Sequence, residues 1–422
     1  MQLKENQSIR KALAVASWTL LTQTSPPSQA AEFPWTADLS TLYYTEKDRV
    51  TVSESIAGFR REIGNEESIG LKVTFDAISG ASANGAIFPK ASTGTVQTIT
   101  SPSGASRTLT TGGKPTINPL TPFNDTRIAA QFLFEKALGR MVKGRAEGGL
   151  GFENDYDSYG AGGTLFWDLN ERRTTLTTGL SFNNDTVRPF GGTPIALNNL
   201  SDPTRLGKGE KRTIDLIVGT TQVLHRRTLA QINYTRGFTD GYLTDPYKII
   251  TVTDPAGEPV DYFFEKRPTT RNRNSLFWRT AHHLAEDVIH FAYRYAWDNW
   301  GIRSHTADLK YLWELGRGHS LQIHFRYYTQ TGSDFYRYSL AEGLPLPGYV
   351  SADYRLGQLI TETVGLKYTL PFGRKTGFSI RAEYIQQKDA EHRFPSLDVI
   401  LVQATFSYSD LIDYALWSRP PP

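Results

Sequence analysis

No cysteine occurs among the 422 residues, and methionine occurs only twice, so a disulfide framework and a thiolate metal site are both closed to this chain. Equally absent is any run of about 18 or more apolar residues, which excludes a membrane protein built from spanning helices. Net charge is small: 46 Lys and Arg stand against 43 Asp and Glu. Lys4, Arg10 and Lys11 lie with Glu5 in an N-terminal leader, so the rest of the chain is almost neutral. A pI of about 8.8 therefore argues neither for nucleic acid nor for an anionic surface as partner. No glycine-rich phosphate loop precedes a helix. Mean hydropathy is -0.40, a value that still leaves room for a barrel, whose inward residues are polar.

What the sequence does contain is alternation. Between residues 288 and 330 three successive runs switch between apolar and polar at every step. Ile289, Phe291, Tyr293, Tyr295 and Trp297 oppose His290, Arg294 and Asp298. Ala307, Leu309, Tyr311 and Trp313 then oppose Thr306, Asp308, Lys310 and Glu314, and Leu321, Ile323, Phe325 and Tyr327 oppose Gln322, His324 and Arg326. Period two is the signature of strands. The turn-forming stretches Asp298-Asn299-Trp300-Gly301 and Leu315-Gly316-Arg317-Gly318 separate the runs, which makes an antiparallel meander. A soluble sandwich would seat its apolar face on a second sheet. A transmembrane barrel turns that face to lipid, keeps its charges inside and gathers Trp and Tyr at both interfaces. Here Tyr295, Trp297 and Tyr327 crowd one end of the meander, and Tyr311 and Trp313 the other.

Taken in order, the chain begins with a basic segment, an apolar core from Ala12 to Leu21 and the small-x-small sequence Ser28-Gln29-Ala30, the pattern of a cleaved signal peptide over residues 1–30. The barrel is expected over 31–410, with a periplasmic tail over 411–422. Ser, Thr, Gly and Pro dominate 79–124, a loop longer than compact soluble domains tolerate. Further long loops are expected at 184–210, 239–270 and 332–352, always on one side, while tight turns such as Gly139-Arg140 and Pro371-Phe372-Gly373 fall on the other. The expected fold is all-β: a closed antiparallel transmembrane β-barrel of about 16 strands, with 14 as the alternative, short periplasmic turns and long extracellular loops. This topology assigns Trp167, Trp278 and Trp313 to the periplasmic interface and Tyr384 to the outer one. The last strand turns Ile400, Val402, Ala404, Phe406 and Tyr408 to lipid, similar to the C-terminal signal read by barrel-assembly machinery, although residues follow the final aromatic here.

The opposite face is charged. Lys143, Arg145, Glu147, Arg279, His290, Arg294, Asp308, Lys310, His324, Arg326, Arg381 and Glu383 are the candidate lumen residues. Opposed rows of acid and base would set a transverse field selecting small polar solutes; alternatively these groups pair across strands and close the lumen. The mixing of signs along adjacent strands favours pairing. His282 and His283 are neighbours on a strand and face opposite sides, whereas His290 and His324 share a face on strands separated by one other. Ser304 with His305, and Ser333 with Asp334, are the pairs a barrel-embedded hydrolase would need to recruit. No catalytic, cofactor or metal site is expected. An aromatic-rich hairpin is expected over 247–264, turning at Asp254-Pro255-Ala256-Gly257, either as a protruding contact surface or as a lid over the mouth.

Several strand ends resemble one family. Gly241-Tyr242-Leu243-Thr244-Asp245-Pro246-Tyr247, Asp254-Pro255, Arg267-Pro268, Trp300-Gly301-Ile302, His305-Thr306, Arg326-Tyr327-Tyr328-Thr329-Gln330-Thr331, Asp334-Phe335-Tyr336 and Ser351-Ala352-Asp353-Tyr354-Arg355-Leu356 together resemble the domain-of-unknown-function family numbered three-five-seven-zero, of Gram-negative outer-membrane proteins. The resemblance is most specific from about Gly237 to Tyr368. It implies an outer-membrane barrel without an established activity, and an envelope lipoprotein or redox protein as a partner. The expected role is therefore a channel or partner-anchoring barrel, in contact with lipid, lipopolysaccharide and the assembly machinery. A general porin and an embedded hydrolase are the alternatives.

Overall fold

The computed structural model describes residues 34–410 apart from 48, 65, 88–96, 101–105, 110–119, 203, 392 and 394. The expected signal peptide and the C-terminal tail lie outside the described residues. The strands are β1 (Trp35–Glu46), β2 (Val50–Gly64), β3 (Glu67–Ala83), β4 (Gln97–Thr100), β5 (Ser106–Leu109), β6 (Leu120–Ala137) and β7 (Val142–Phe152). There follow β8 (Tyr156–Leu169), β9 (Thr174–Val187), β10 (Gly209–His225), β11 (Thr228–Gly241), β12 (Ile249–Thr253), β13 (Pro259–Phe264) and β14 (Thr270–His283). The remainder are β15 (Val288–Asp298), β16 (Arg303–Gly316), β17 (His319–Gln330), β18 (Leu340–Ala341), β19 (Leu359–Pro371), β20 (Thr376–Asp389) and β21 (Leu397–Ser409).

All of these except β4, β5, β12, β13 and β18 form one closed barrel of 16 antiparallel strands. Closure is made by β1 against β21, from Thr36 opposite Ser409 to Glu46 opposite Val399. Every wall strand thus has two partners and no edge remains to be capped. Because residues paired in register share a face, the pattern in one strand propagates around the ring. Phe132, Leu180, Val218 and Ile400 stand exposed on the outside, while Glu135, Asp185, His324 and Glu383 are buried on the inside. The apolar half of each alternation is therefore the convex surface, the inverse of a soluble barrel.

Long and short connections separate to opposite ends, as the sequence predicts, but three of the long ones are shorter than expected and the fourth, between β17 and β19, is longer. Ser79 still pairs with Asn124 and Ala83 with Leu120, because nothing in the Ser/Thr-rich composition opposes continuing a ladder beyond the apolar band. At the other margin, Tyr354–Leu356 is a 3-10 turn and not the start of a strand. Asp353 caps it, accepting from Arg355 N, and β19 begins only at Leu359. At the tight end, Asn170, Glu171 and Arg172 all take positive φ, which compresses the β8–β9 connection into a single turn.

The expected hairpin is present as β12 and β13, with Ile249 opposite Phe264 and Gly257 in the left-handed region at φ 81°. It does not protrude. All five residues of β12 are buried, and β12 gains a third, parallel neighbour in β18 through Val252–Leu340 and Thr253–Ala341. Of the two roles weighed for it, the packing is that of a lid.

Candidate functional site

The lid is assembled from connections that are remote in sequence. Ile249 N donates to Asn84 O at 2.9 Å, Leu200 N to Tyr262 O at 2.9 Å, and Lys266 N to Val350 O at 2.9 Å. Lys248 reaches the carbonyl of Ala83. Since β3 and β11 stand almost half the ring apart, that bond carries the hairpin from one side of the mouth to the other. Three small apolar centres hold the layer together. Ala86, Ile249, Tyr262 and Phe264 form one; Ile250, Val350 and Ala352 another; and Trp300, Ile302, Phe335 and Leu356 a third. Ile250 and Val350 are 0% exposed, and each such side chain contributes about 1.5–3 kcal/mol on burial. Leu197, at φ 62°, packs on the second centre; a strain of roughly 1–2 kcal/mol is tolerated there because its neighbours fix it.

Between these centres runs a buried ionic latch. Glu265 is 0% exposed and accepts from Asp245 N at 2.8 Å and from the Ser351 hydroxyl. Arg267 Nε lies 2.6 Å from Glu265 Oε1, an ionic contact without hydrogen-bond alignment. The same guanidinium donates to Asp353 at 3.0 Å, and Arg355 ties Asp353 to Asp245 at 2.6 and 3.1 Å. Burial pushes the Glu265 carboxyl up to about 7, against the pull of Arg267. Burial would raise Asp353 too, but Arg355, Lys248 and Arg267 hold it well below the usual carboxylate range.

Beneath the lid lies a vestibule of about 990 Å³. Its lining is densely charged and mixed in sign: Arg267, Arg271, Arg273, Arg294 and Arg355 stand among Asp245, Asp298 and Asp353, with Glu153, Asp155, Asp215 and Lys211 further round. Asp298 shapes the rim: its Oδ1 accepts from Trp300 N and Ile302 N at 3.0 Å each, and its Oδ2 from Arg271 Nε at 2.8 Å. Trp300 covers the Arg271 guanidinium at 4.4 Å. Asp125, Glu153 and Asp155 bring ligand-capable oxygens within 4.8 Å of one another. Asn154 donates to Asp125 and Tyr247 to Asp155, and Arg127 stands 4.0 Å from Glu153. A second cavity of about 740 Å³ lies along β1, β2, β3 and β6 to β9.

Register carries the twelve candidate inner residues, Lys143, Arg145, Glu147, Arg279, His290, Arg294, Asp308, Lys310, His324, Arg326, Arg381 and Glu383, to one face. They divide into two groups. Lys143 and Arg145 converge on Glu135 at 3.2 and 2.5 Å, with Arg60 as a third cation; Glu147 approaches Arg145 at 3.6 Å. His324 bridges Asp308 at 2.8 Å and Glu383 at 2.9 Å, passing over Gly365, where a Cβ would meet Glu383 Cγ at 2.6 Å. Arg381 lies 3.5 Å from Glu383 and Lys310 3.7 Å from Asp308. Arg279, Arg294 and Arg326 have no ion pair among the described residues. Lys310 sits opposite both His290 and His324, so a cation separates the two histidines and they do not meet. Ser304 faces inward while His305 packs outside against Tyr295, 4.9 Å between centroids, so that pair is split by the wall. Sequence reasoning missed Glu135, Glu265 and Asp353; an acid at an inward position of β6 was the only available signal for the first.

The aromatic residues Trp167, Trp278, Tyr295, Trp297, Tyr311, Trp313, Tyr327 and Tyr384 occupy the outward register. Tyr295 stacks on Trp297 at 5.2 Å, and the Tyr384 hydroxyl donates to Asp398 at 2.7 Å, both toward the long-loop end. Tyr311 reaches Asp287, and Trp313 and Trp167 stand by the tight turns. Trp278 is deeper in the band, opposite Ile232 and Tyr293, and packs edge-on against Phe291.

The chain belongs to the family described as a protein of unknown function (DUF3570), which its residues 10–400 match. Its recognisable stretches, from Gly241-Tyr242 through Arg267-Pro268 and Trp300-Gly301-Ile302 to Ser351–Leu356, are the segments that build the lid and latch. No protein of curated function matches the chain. Among solved structures it is similar to the outer-membrane protein OpdK of Pseudomonas aeruginosa, at 9% identity and a TM-score of 0.43 over 90% of this chain and 99% of that one. OccK5 (OpdH) of the same organism gives 8% and 0.41, over 89% and 98%. A mutant of its ferric enterobactin receptor PfeA gives 10% and 0.42, over 86% of this chain and 54% of the receptor.

Proposed function

We propose that the protein is a conduit for small solutes across the outer membrane of a Gram-negative cell, with its outer mouth held shut by its own loops. The exposed apolar wall supports a place in lipid, with the long loops outward and lipopolysaccharide around the upper rim. The observation that carries the conduit reading is a folded lid, with Ile250 and Val350 at 0% exposure, standing over a charged vestibule of about 990 Å³. A scaffold needs no such space, and a permanently open porin needs no such lid.

The test is conductance of the purified protein in planar bilayers, with heat-modifiable migration on gels reporting that it is folded. The intact protein is expected to be closed for most of the time and to open in discrete steps. A variant lacking the lid hairpin is expected to conduct continuously. If both were folded yet silent, the conduit reading would be lost, and the alternative of a partner-anchoring barrel would take its place. The exposed Val260, Leu344, Leu346 and Tyr349 on the lid surface favour that alternative as the docking face for an envelope partner.

A further inference from the structure

The inward arginines of the barrel fall into two populations. On the wall made by β2, β6 and β7 each of them is paired: Arg60 and Arg145 with Glu135, and Arg127 with Asp76 at 2.5 Å. These are the pairs expected of buried charge. On the wall made by β14, β15, β17 and β19, among the described residues, Arg271 at the rim pairs with Asp298 at 2.5 Å, and the deeper cations do not pair. Arg279, Arg294, Arg326 and Lys367 share the inner face, yet among the described residues none has a carboxylate within ion-pairing distance. Arg273 faces Asp215 across Gly237 without reaching it; only the missing side chain at Gly237, whose Cβ would lie 2.4 Å from Asp215 Oδ1, leaves room for that approach.

The unpaired groups are also ordered in depth. Arg273 and Arg294 border the vestibule. Arg279 and Arg326 follow on one row with Ala292 and Asp308 between them; Asp308 stands opposite Arg326 but turns its carboxylate to His324 at 2.8 Å and Lys310 at 3.7 Å, and Lys367 lies below, opposite Gln322. From Arg273 to Arg279 the strand alone spans roughly 20 Å at about 3.3 Å per residue. Arg294 is held against the Phe277 ring at 5.3 Å, which fixes the side chain while leaving its N–H groups free. The arginines of the other wall each have a carboxylate partner. Cations without one, at successive depths and in a confined low-dielectric space, attract mobile anions and release them, since no single site holds the ion fully.

We propose that the conduit is selective for small oxyanions, solutes bearing carboxylate or phosphate groups, which pass along this row of guanidinium groups. The inference rests on the conduit reading. The planar guanidinium fork matches two oxygens of either group, whereas Lys367 supplies a point charge at the end of the row.

Reversal potentials of the lid-deleted and intact full-length proteins across a potassium chloride gradient test the idea. Chloride is expected to be favoured over potassium by about threefold or more. Arg294→Gln and Arg326→Gln are each expected to lower that ratio by roughly half, and together to bring it near unity. Succinate and inorganic phosphate are then added as blockers of the chloride current; Arg326→Lys should preserve the selectivity while weakening block by several-fold, because charge is kept and the fork is lost. Succinate block without phosphate block would place carboxylates as the class, and the reverse would place phosphates; either supports the proposal. A folded, conducting barrel that favours potassium, or whose selectivity ignores both glutamine substitutions, overturns the anion row while leaving the conduit standing. Absence of any conductance overturns both.

Discussion

Deleting residues 248–261 is expected to raise single-channel conductance on the order of tenfold, the scale on which an occluded pore differs from an open one, while leaving the barrel assembled. The deletion removes β12, whose five residues are all buried, together with the Lys248 contact that crosses the mouth. It thereby strips partners from the loops on either side: Asn84, Leu200 and β18 all bond to this hairpin or its flank. The wall is indifferent to the loss, because each of its strands is paired on both sides by the ring. A cross-link should act in the opposite sense. Asn199 and Phe263 form an isolated antiparallel bridge between two loops, and the bonds from Leu200 N to Tyr262 O and from Phe264 N to Asn198 O flank it. That arrangement makes it a non-hydrogen-bonded pair with Cα atoms about 4.5 Å apart, close enough for a disulfide. Since the native chain has no cysteine, Asn199→Cys with Phe263→Cys adds one defined thiol pair. Oxidised, this variant should stay closed under voltages that open the reduced form. Unchanged conductance after the deletion, in protein that still migrates as a folded barrel, would move the occlusion from the lid to the inner charge clusters around Glu135 and His324.

The contrast between wall and lid also explains what could be read in advance. Phe291, Leu309 and Phe325 announce their face because period two is local: each residue's side follows from its immediate neighbours, and one correct strand fixes the parity of the next. Strand number and the separation of long from short connections follow from the same rule. No such rule governs the lid. Glu265, Ser351 and Asp353 meet through two separate connections, and nothing periodic links Lys248 to Ala83. The Ile249-Ile250 pair, the buried charge of Arg267 and the exposed one of Arg355 read as ordinary loop composition. Expecting the inner charges to pair was half sufficient: Arg145 stands opposite Glu135 and Arg326 opposite Asp308 in the same way, but Asp308 turns to His324 at 2.8 Å and Lys310 at 3.7 Å, a choice among neighbours that neither parity nor register reveals. Trp278 shows the same limit, since its place late in a strand did not give its depth against Ile232 and Tyr293.

Raising the pH from about 5 to about 8 should loosen the lid, because Glu265 is the latch group that titrates in that interval. Its carboxyl is pushed by burial from 4.5 to about 7 in the closed lid, and it returns to its ordinary value once the latch opens to water. The closed state therefore binds this proton more tightly. The resulting stabilisation is complete below about pH 4.5, declines as pH rises, and is gone above about 7, a loss of about 3 kcal/mol. Asp353 shifts the other way, held low chiefly by Arg355 against the effect of burial. Its contribution is present throughout this window and would be lost only in stronger acid, so it does not mask the change. Open probability, or the rate at which a protease cuts the lid, should accordingly rise with pH in the native protein and remain flat in Glu265→Gln. Asp353→Asn makes the complementary case: it leaves Arg267 and Arg355 without their shared carboxylate, a change of about 3–5 kcal/mol for a buried pair, and should open the lid at every pH tested. A lid that tightens with rising pH, or a Glu265→Gln variant that keeps the native pH profile, would show that the Glu265 proton is not what the latch responds to.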